Sequence, residues 1–363
     1  MLVIVLLLGL VSSSPVSRLV RQTRQSSNLL LLGAREGITR AEPRQDTQQF
    51  DLPAGEALDL FYRFGFFSLS VRVVPRDDFG TWVIREPTSK IFTSESVRQI
   101  TLPQANRFQD QFQIYFCDDL DDLMKHYFHD FDAEGVREPY RMFTGSWRTP
   151  TTVKYFGISE SILKSDAGFV LVKLAKPKAT LKIEGTPQLK PDASDAFQRI
   201  RSGDKESVEQ FVQNHGSHYI ESLTVGDAVY QVLALDRGMY IKAKNDVLVE
   251  KKVTKFDDIY DAYLAPWVVK ENGKVLVASG DNRVGDFLKG RVFKQLPFAS
   301  YPSIFEIRKQ PDILDQLEFL TQDTTAVIAL HFRSLGSLLP SLESQEFYKE
   351  IVNTELALWE ANI

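Results

Sequence analysis

The order of apolar and polar positions divides the chain into segments of different period. Gly168 to Ile183 (GFVLVKLAKPKATLKI) is dense in β-branched and apolar residues and predicts a long strand. Pro177 cannot donate to a ladder, so it marks a bulge or an edge. From Ala193 to Asn214 the apolar residues Phe197, Ile200, Val208, Phe211 and Val212 recur at spacings of three and four, which predicts helix, interrupted near Gly203. After His215 the period returns to two. Upstream, Asp118-Asp119-Leu120-Asp121-Asp122-Leu123 leads into Met124, Tyr127, Phe128 and Phe131, an amphipathic helix with carboxylates at its positive end.

Between Ile241 and Val253 the odd positions are Ile, Ala, Asn, Val, Val, Lys and Val, while the even ones are mostly charged, and this alternation predicts a half-buried strand. A helical stretch follows, with Val253, Phe256, Ile259 and Tyr263 on one side. Val268 to Val277 predicts a hairpin, because Asn272-Gly273 supplies the positive φ values of a type I′ turn. Glu346 to Trp359 predicts a closing helix, and Phe66 to Val74 an aromatic-rich strand. Strands and helices arrive in blocks instead of a βαβ rhythm, so the expected class is α+β.

The N-terminus changes the picture of where such a domain works. Leu2 to Val11 is apolar and ends in Ser12-Ser13-Ser14-Pro15, too short to span a bilayer and of the right length for a secretory signal over 1–17. Residues 18–50 hold no period and read as a flexible segment, with convertase-like spacings ending at Arg21 and Arg24; residues 51–363 form the expected domain. Cys117 is the sole cysteine, so a secreted chain of this kind has no internal disulfide and depends on its core, for which 43% hydrophobic content is ample. The net charge of −5, from 43 basic and 48 acidic residues without a basic block, argues against nucleic acid as partner.

No catalytic residue, cofactor or metal is expected from the sequence. Cys117 adjoins Asp118 and Asp119, whose charges disfavour a thiolate. No Gly-x-Ser-x-Gly elbow occurs. Gly285 to Arg291 imitates a phosphate loop but has Arg291 where Lys is required. His126 and His129, and His215 and His218, have ligand-like gaps without the Glu of a zinc helix. Asp118 to Asp122 lacks the alternating ligands and central Gly of a calcium loop.

Phe211 to Ile220, continuing to Val232, resembles the signature of the membrane-attack-complex/perforin (MACPF) family. In that signature a helix ends in Gly, a hydroxyl residue, His and an aromatic, and a twisted strand with a Gly-Gly pair follows. Gly216, Ser217, His218 and Tyr219 match the core, Gly226 matches the first glycine of the pair, and Asp227 replaces the second. Residues 168–183, 193–214, 228–235 and 301–307 fit the family's strand, helix, strand and terminal strand. Ser279-Gly280-Asp281-Asn282, Leu296-Pro297 and Tyr301-Pro302-Ser303-Ile304 resemble its closing segment.

The resemblance implies a bent and twisted antiparallel sheet flanked by two helical clusters, here near residues 118–167 and 236–286. In lytic members those clusters unravel into membrane hairpins. The candidate membrane-facing strand is Ile241, Ala243, Val247, Val249 and Val253, with Phe143 to Arg148 a shorter alternation. Lys251 on the apolar face and Asp227 at the hinge stand against opening. Within the family the chain is most similar to the insect Torso-like group. That implies a secreted, non-enzymatic factor of the perivitelline space or vitelline membrane, peripheral to the plasma membrane. It would promote activation of the Torso receptor tyrosine kinase by its ligand Trunk in terminal patterning. Its partners would be Trunk/Torso pathway components or egg-coat proteins, and a membrane surface. The alternative is a pore-forming immune effector.

Overall fold

Two long strands, β6 (Ala167–Ile183) and β7 (His218–Asp236), pair antiparallel along almost their whole length and form the spine of a sheet that has ten strands among the described residues. The computed structural model describes residues 56–58, 89–93, 97–100, 112–144, 147–183, 185, 187–292, 303–308, 310–322 and 326–362, all within one compact unit, Phe50–Ile363. The expectations for the signal peptide 1–17, the segment 18–50, Arg21, Arg24 and the strand Phe66 to Val74 lie outside the described residues.

The spine has different neighbours at its two ends. At the end near Asp236, β4 (Phe112–Cys117) lies along β6, and the short β8 (Glu271–Asn272) and β9 (Leu276–Val277) lie along β7. At the other end β3 (Val97–Ile100) takes the β6 side and β10 (Ala326–Ser334) the β7 side. There, β1 (Glu56–Leu58) also pairs with β7 at His218 and Tyr219, and β2 (Ser89–Lys90) pairs with β1. Beyond β10, β5 (Phe131–Ala133) runs parallel to it. The sheet is therefore curled and mixed, not purely antiparallel as expected. The α+β class stands.

Helices follow the strands in two groups. The first is α1 (Leu120–Tyr127), α2 (Arg141–Thr144), α3 (Thr149–Phe156) and α4 (Glu160–Leu163). The Asp119 carboxylate caps α1 by accepting from the Asp122 N–H at 2.8 Å, as the acidic start predicts. Then come α5 (Pro191–Gln198) and α6 (Lys205–His215), separated around Gly203 as expected. The second group is α7 (Arg237–Lys244) with a π-helical continuation Asn245–Val249, α8 (Phe256–Ile259) with a π-helical turn Tyr260–Leu264, and α9 (Asn282–Val292). The chain closes with α10 (Ile304–Arg308), α11 (Pro311–Leu320) and α12 (Leu342–Asn362).

The two groups cover opposite faces of the spine. Phe169 and Leu171 of β6, with Ala228, Tyr230, Val232 and Ala234 of β7, pack against Leu123, Tyr127, Phe128, Val153 and Phe156 of the first group. The alternate residues Val170, Val172, Leu174, Val229, Leu233 and Leu235 pack against Tyr240, Ala243, Tyr260, Leu264 and Leu288 of the second. Strands buried on both faces read as continuous apolar runs, which is why Gly168 to Leu174 shows no alternation. Each fully buried Leu, Val or Phe there contributes about 1.5–3 kcal/mol of transfer free energy. A third core, of Phe197, Val208, Phe211, Tyr219, Tyr348 and Val352, joins α5, α6 and α12 to the far end of the sheet.

Four sequence expectations are corrected. Residues 241–249 are helical, not a strand: Tyr240 and Ala243 are buried one helical turn apart, whereas Ile241 and Val249 are 48% and 71% exposed. The alternation there is a by-product of a narrow buried stripe at spacings of three and four, with Val247 next along it. Val253 lies beyond the helical run, after Lys251, whose φ is 50°. Residues 268–277 are not a hairpin, since β8 and β9 both pair with β7. Gly273 is needed for close approach instead, because a Cβ on it would lie 2.5 Å from the Phe156 carbonyl oxygen. Ile304–Arg308 is helix, and the place expected for the terminal strand at 301–307 belongs to β10. Within Phe143 to Arg148, Phe143 and Thr144 end α2, and Gly145 and Ser146 lie outside the described residues.

Candidate functional site

The residues singled out by the sequence sit at two levels of β7, a corner at its start and a kink in its middle. At the corner Gly216 ends α6 with φ 94° and ψ 167°, a conformation that disfavours a side chain. Ser217 and His218 are wholly buried. The His218 Nε2–H donates to the Glu134 carbonyl at 2.8 Å, and Nδ1 accepts from the Ser217 hydroxyl at 3.0 Å. Burial holds the imidazole down to about 4, so it is neutral at neutral pH. Tyr348 Oη of α12 and the Leu335 N–H both donate to the Ser217 carbonyl, at 3.1 Å each. Tyr219 is buried edge-on against Phe92, ring centroids 5.1 Å apart. With both ring nitrogens engaged, His218 cannot ligate a metal. The corner is a fastening point for α6, α12, β10 and the segment after β5.

At the kink, Gly226 faces Pro177 across the β6–β7 ladder. Ladder register shifts between Pro177 and Ala179 on one side of β7 and between Val327 and Ala329 of β10 on the other. Bulges bend a strand and raise its twist, so two at one level crease the sheet there. Lys178 in the β6 bulge donates to the Thr321 and Gln322 carbonyls at 2.8 Å each, satisfying carbonyls at the C-terminus of α11. Lys176 pairs with Glu318 of the same helix at 2.5 Å.

Asp227, at the place of the expected second glycine, is fully buried. Its Oδ1 accepts from its neighbour's Ala228 N–H at 2.8 Å and from the Ser279 N–H at 3.2 Å, and its Oδ2 accepts from the Ser279 hydroxyl at 2.9 Å. Ser279 lies between β9 and α9, so the kink is tied to the second helical group. Gln231, also fully buried, donates from Nε2 to the Gly273 carbonyl at 2.9 Å and accepts from the Ile304 N–H at 2.7 Å.

The two groups are also tied to each other. The Asp118 carboxylate, just before α1, accepts from Tyr240 Oη at 2.7 Å and from Lys244 Nζ at 2.8 Å, both on α7. The Lys244 ammonium, then the Tyr240 hydroxyl, hold its carboxyl below the usual range. Arg237 donates to the Asp118 carbonyl at 3.1 Å and to Asp166 at 3.0 Å. In the same acidic run Asp121 accepts from Tyr140 Oη at 2.7 Å and Asp122 from the Asp118 N–H at 3.0 Å. These carboxylates are helix caps and clamps, with nothing of a calcium loop in their arrangement. Gly285 to Arg291 lies within α9 and so forms no phosphate-binding loop.

The clamps Asp118–Tyr240–Lys244, Asp227–Ser279 and Gln231–Gly273, and the partners Glu134 and Tyr348, were not foreseen. They join residues 42 to 131 positions apart, and no local pattern encodes such pairs. Of the candidate membrane-facing residues, Ala243 is buried, Val247 and Val253 are partly buried, and Ile241 and Val249 are exposed beside Leu248 on the outer side of the second group. Among the described residues no helix is long and apolar enough to cross a membrane.

No family model matches the chain, and no curated protein matches it in sequence. Among solved structures the chain is similar to GNIP1Aa from Chromobacterium piscinae, at 9% identity and a TM-score of 0.44, covering 84% of this chain and 56% of that one. It is similar to a putative cell invasion protein with a MAC/perforin domain from Bacteroides thetaiotaomicron, at 10% identity and a TM-score of 0.36, covering 86% and 61%. It is also similar to astrotactin-2, described as a vertebrate-specific, perforin-like membrane protein involved in neuronal development, at 12% identity and a TM-score of 0.31, covering 78% and 90%. The chain thus spans about three fifths of the length of the first two. At such identities and TM-scores these likenesses say nothing of its activity.

Proposed function

We propose that this chain is a non-catalytic, secreted MACPF-type protein that acts by binding, with its helical groups clamped to the creased sheet. The process is the one its resemblance to the Torso-like group implies: promoting activation of the Torso receptor tyrosine kinase by Trunk at the embryo's ends. Supporting the MACPF part are the corner Gly216–Tyr219, the long kinked β6–β7 spine and a helical group on each of its faces. The observation that carries the non-lytic part is Asp227. Where a second glycine would leave the kink free to open, a buried carboxylate instead holds Ser279 through a main-chain and a side-chain bond.

Releasing the second helical group would take both Ser279 bonds from that carboxylate, including the hydroxyl on Oδ2, and leave it the Ala228 N–H. An unsatisfied buried acceptor of this kind costs about 1–3 kcal/mol, more when charged. The face open to a partner or a membrane surface is the outer side of α7 and its continuation, where Ile241, Leu248 and Val249 are exposed.

Two measurements test the reading. Depleting the protein from the egg should abolish terminal fates while receptor levels stay constant; normal termini would contradict the Torso assignment. Purified protein added to dye-loaded vesicles of neutral and anionic lipid should leave the dye inside. Dye release with ring-shaped assemblies would replace this reading with that of a pore-forming effector.

A further inference from the structure

The place where the two helical groups meet contains a further set of side chains, of which Asp122 already accepts from the Asp118 N–H through Oδ2 and keeps Oδ1 toward the other two. Cys117 is the last residue of β4 and fully buried. Asp122 and His126 stand one turn apart on α1, which begins three residues later. The Cys117 sulfur, an Asp122 carboxylate oxygen and a His126 ring nitrogen all lie within 4.8 Å of one another. Around a tetrahedral metal with bonds of about 2.0–2.3 Å, ligand atoms sit roughly 3.5 Å apart. Small side-chain rotations therefore suffice to close the set on an ion.

The three groups are poorly satisfied by one another. His126 Nε2 is 3.6 Å from Asp122 Oδ1, too long for a hydrogen bond. The Cys117 thiol makes a contact of 3.7 Å to the Tyr115 carbonyl, a weak bond at best. The ring of Tyr115 is stacked on His126 with centroids 5.1 Å apart, which fixes the imidazole plane and shields it on one side. Asp122 and His126 side chains remain about one third exposed, so an ion and a water ligand have a route in. The nearby Lys244 ammonium is bound to both oxygens of the Asp118 carboxylate and so is partly neutralised.

We propose that Cys117, Asp122 and His126 bind one Zn²⁺ ion, with water in the fourth position, and that the ion pins α1 to the end of β4. One sulfur, one nitrogen and one oxygen donor suit a borderline-soft, tetrahedral ion better than calcium or magnesium, which take oxygen ligands. On binding, the sulfur–metal bond forms as the thiol proton leaves to solvent, so uptake releases a proton and strengthens with rising pH. The ion fastens the first helical group one residue from Asp118, which holds the second. It thus acts as a staple that a chain with a lone cysteine cannot obtain from a disulfide.

The test uses the whole protein, freed of metal by a chelator and titrated with Zn²⁺ and, separately, Co²⁺. The expected results are uptake of one ion per chain and, with Co²⁺, a thiolate-to-cobalt charge-transfer band and tetrahedral visible absorption. Cys117→Ser should abolish the charge-transfer band, and His126→Gln, at a partly exposed position where folding is retained, should weaken Zn²⁺ binding at least about 100-fold. His129→Asn, beside the set, should change neither. Failure to take up either ion, a band that survives Cys117→Ser, or affinity that is unmoved by His126→Gln would each overturn the proposal.

Discussion

Gly226 sits opposite Pro177 in the ladder of the two longest strands, and there is no room for a side chain between them. A Cβ on Gly226 would lie 2.3 Å from the Lys176 carbonyl oxygen and 2.9 Å from Pro177 Cα. Both are backbone atoms of a strand that β4 holds up to Leu174 and β3 from Thr180, so neither can swing far. Gly226→Ala should therefore destabilise the protein by about 1–3 kcal/mol, the range of overpacked cores, with a lower urea midpoint as the readout. An unchanged midpoint would mean that the crease relaxes freely.

The corner makes stability depend on pH through His218. Its folded-state pKa of about 4 lies below the ordinary 6.5, so the unfolded chain binds the proton more readily. The contribution of the neutral ring is whole above pH 6.5 and is lost as pH falls toward and through 4. For a wholly buried ring this amounts to about 3 kcal/mol. Carboxylates titrate in the same range, so the comparison is with His218→Gln, which keeps a polar group but does not titrate. The stability gap between the natural chain and the variant should narrow on acidification from neutrality. A gap constant with pH would show that the ring is not held neutral.

How much of this was legible in the sequence depended on the range of the interaction. Local signals held: Pro177 marked the bulge, the carboxylates before Leu120 marked a helix start, and Gly216 marked a helix end. Period alone misled at Ile241 to Val253, because a helix with one buried stripe, Tyr240, Ala243 and Val247, can carry apolar residues at alternate positions by accident. It misled again at Asn272-Gly273, where the need for glycine comes from the Phe156 carbonyl, more than 100 residues away. Asp227 could be seen to replace a glycine, but its role depends on Ser279, 52 residues on, and only the folded chain brings the two together.

The link between the helical groups should be dominated by a hydroxyl and not by the ion pair. Tyr240 is almost fully buried and donates to Asp118 at 2.7 Å, whereas Lys244 and Asp118 have side chains 33% and 56% exposed. A hydrogen bond to a charged acceptor with a buried donor contributes about 1.5–3 kcal/mol, while an exposed ion pair contributes about 0.2–1 kcal/mol and is screened by salt. Tyr240→Phe should thus lower stability more than Lys244→Ala does, and only the Lys244 effect should shrink in concentrated salt. The reverse order in denaturant titrations would place the linkage in the charges.

The bond between Asp227 and Ser279 is the contact on which the non-lytic reading turns, and it makes a local prediction. Ser279→Ala removes the hydroxyl and leaves the main-chain bond, whereas Asp227→Gly removes both and restores the flexibility of a glycine pair. Because the two residues touch, their effects on stability should be non-additive, with a coupling of about 0.5–3 kcal/mol in a double-mutant cycle. The structural consequence should be confined to what Ser279 anchors. Amide hydrogen exchange in Asp227→Gly should quicken across β9 and α9, from Leu276 to Val292, and should stay unchanged in α6, whose Val208 and Phe211 pack in the third core and not against the second helical group. Exchange unaltered at Leu276 to Val292 would mean that the carboxylate does not hold the second group, and the case against pore opening would then lose its physical basis.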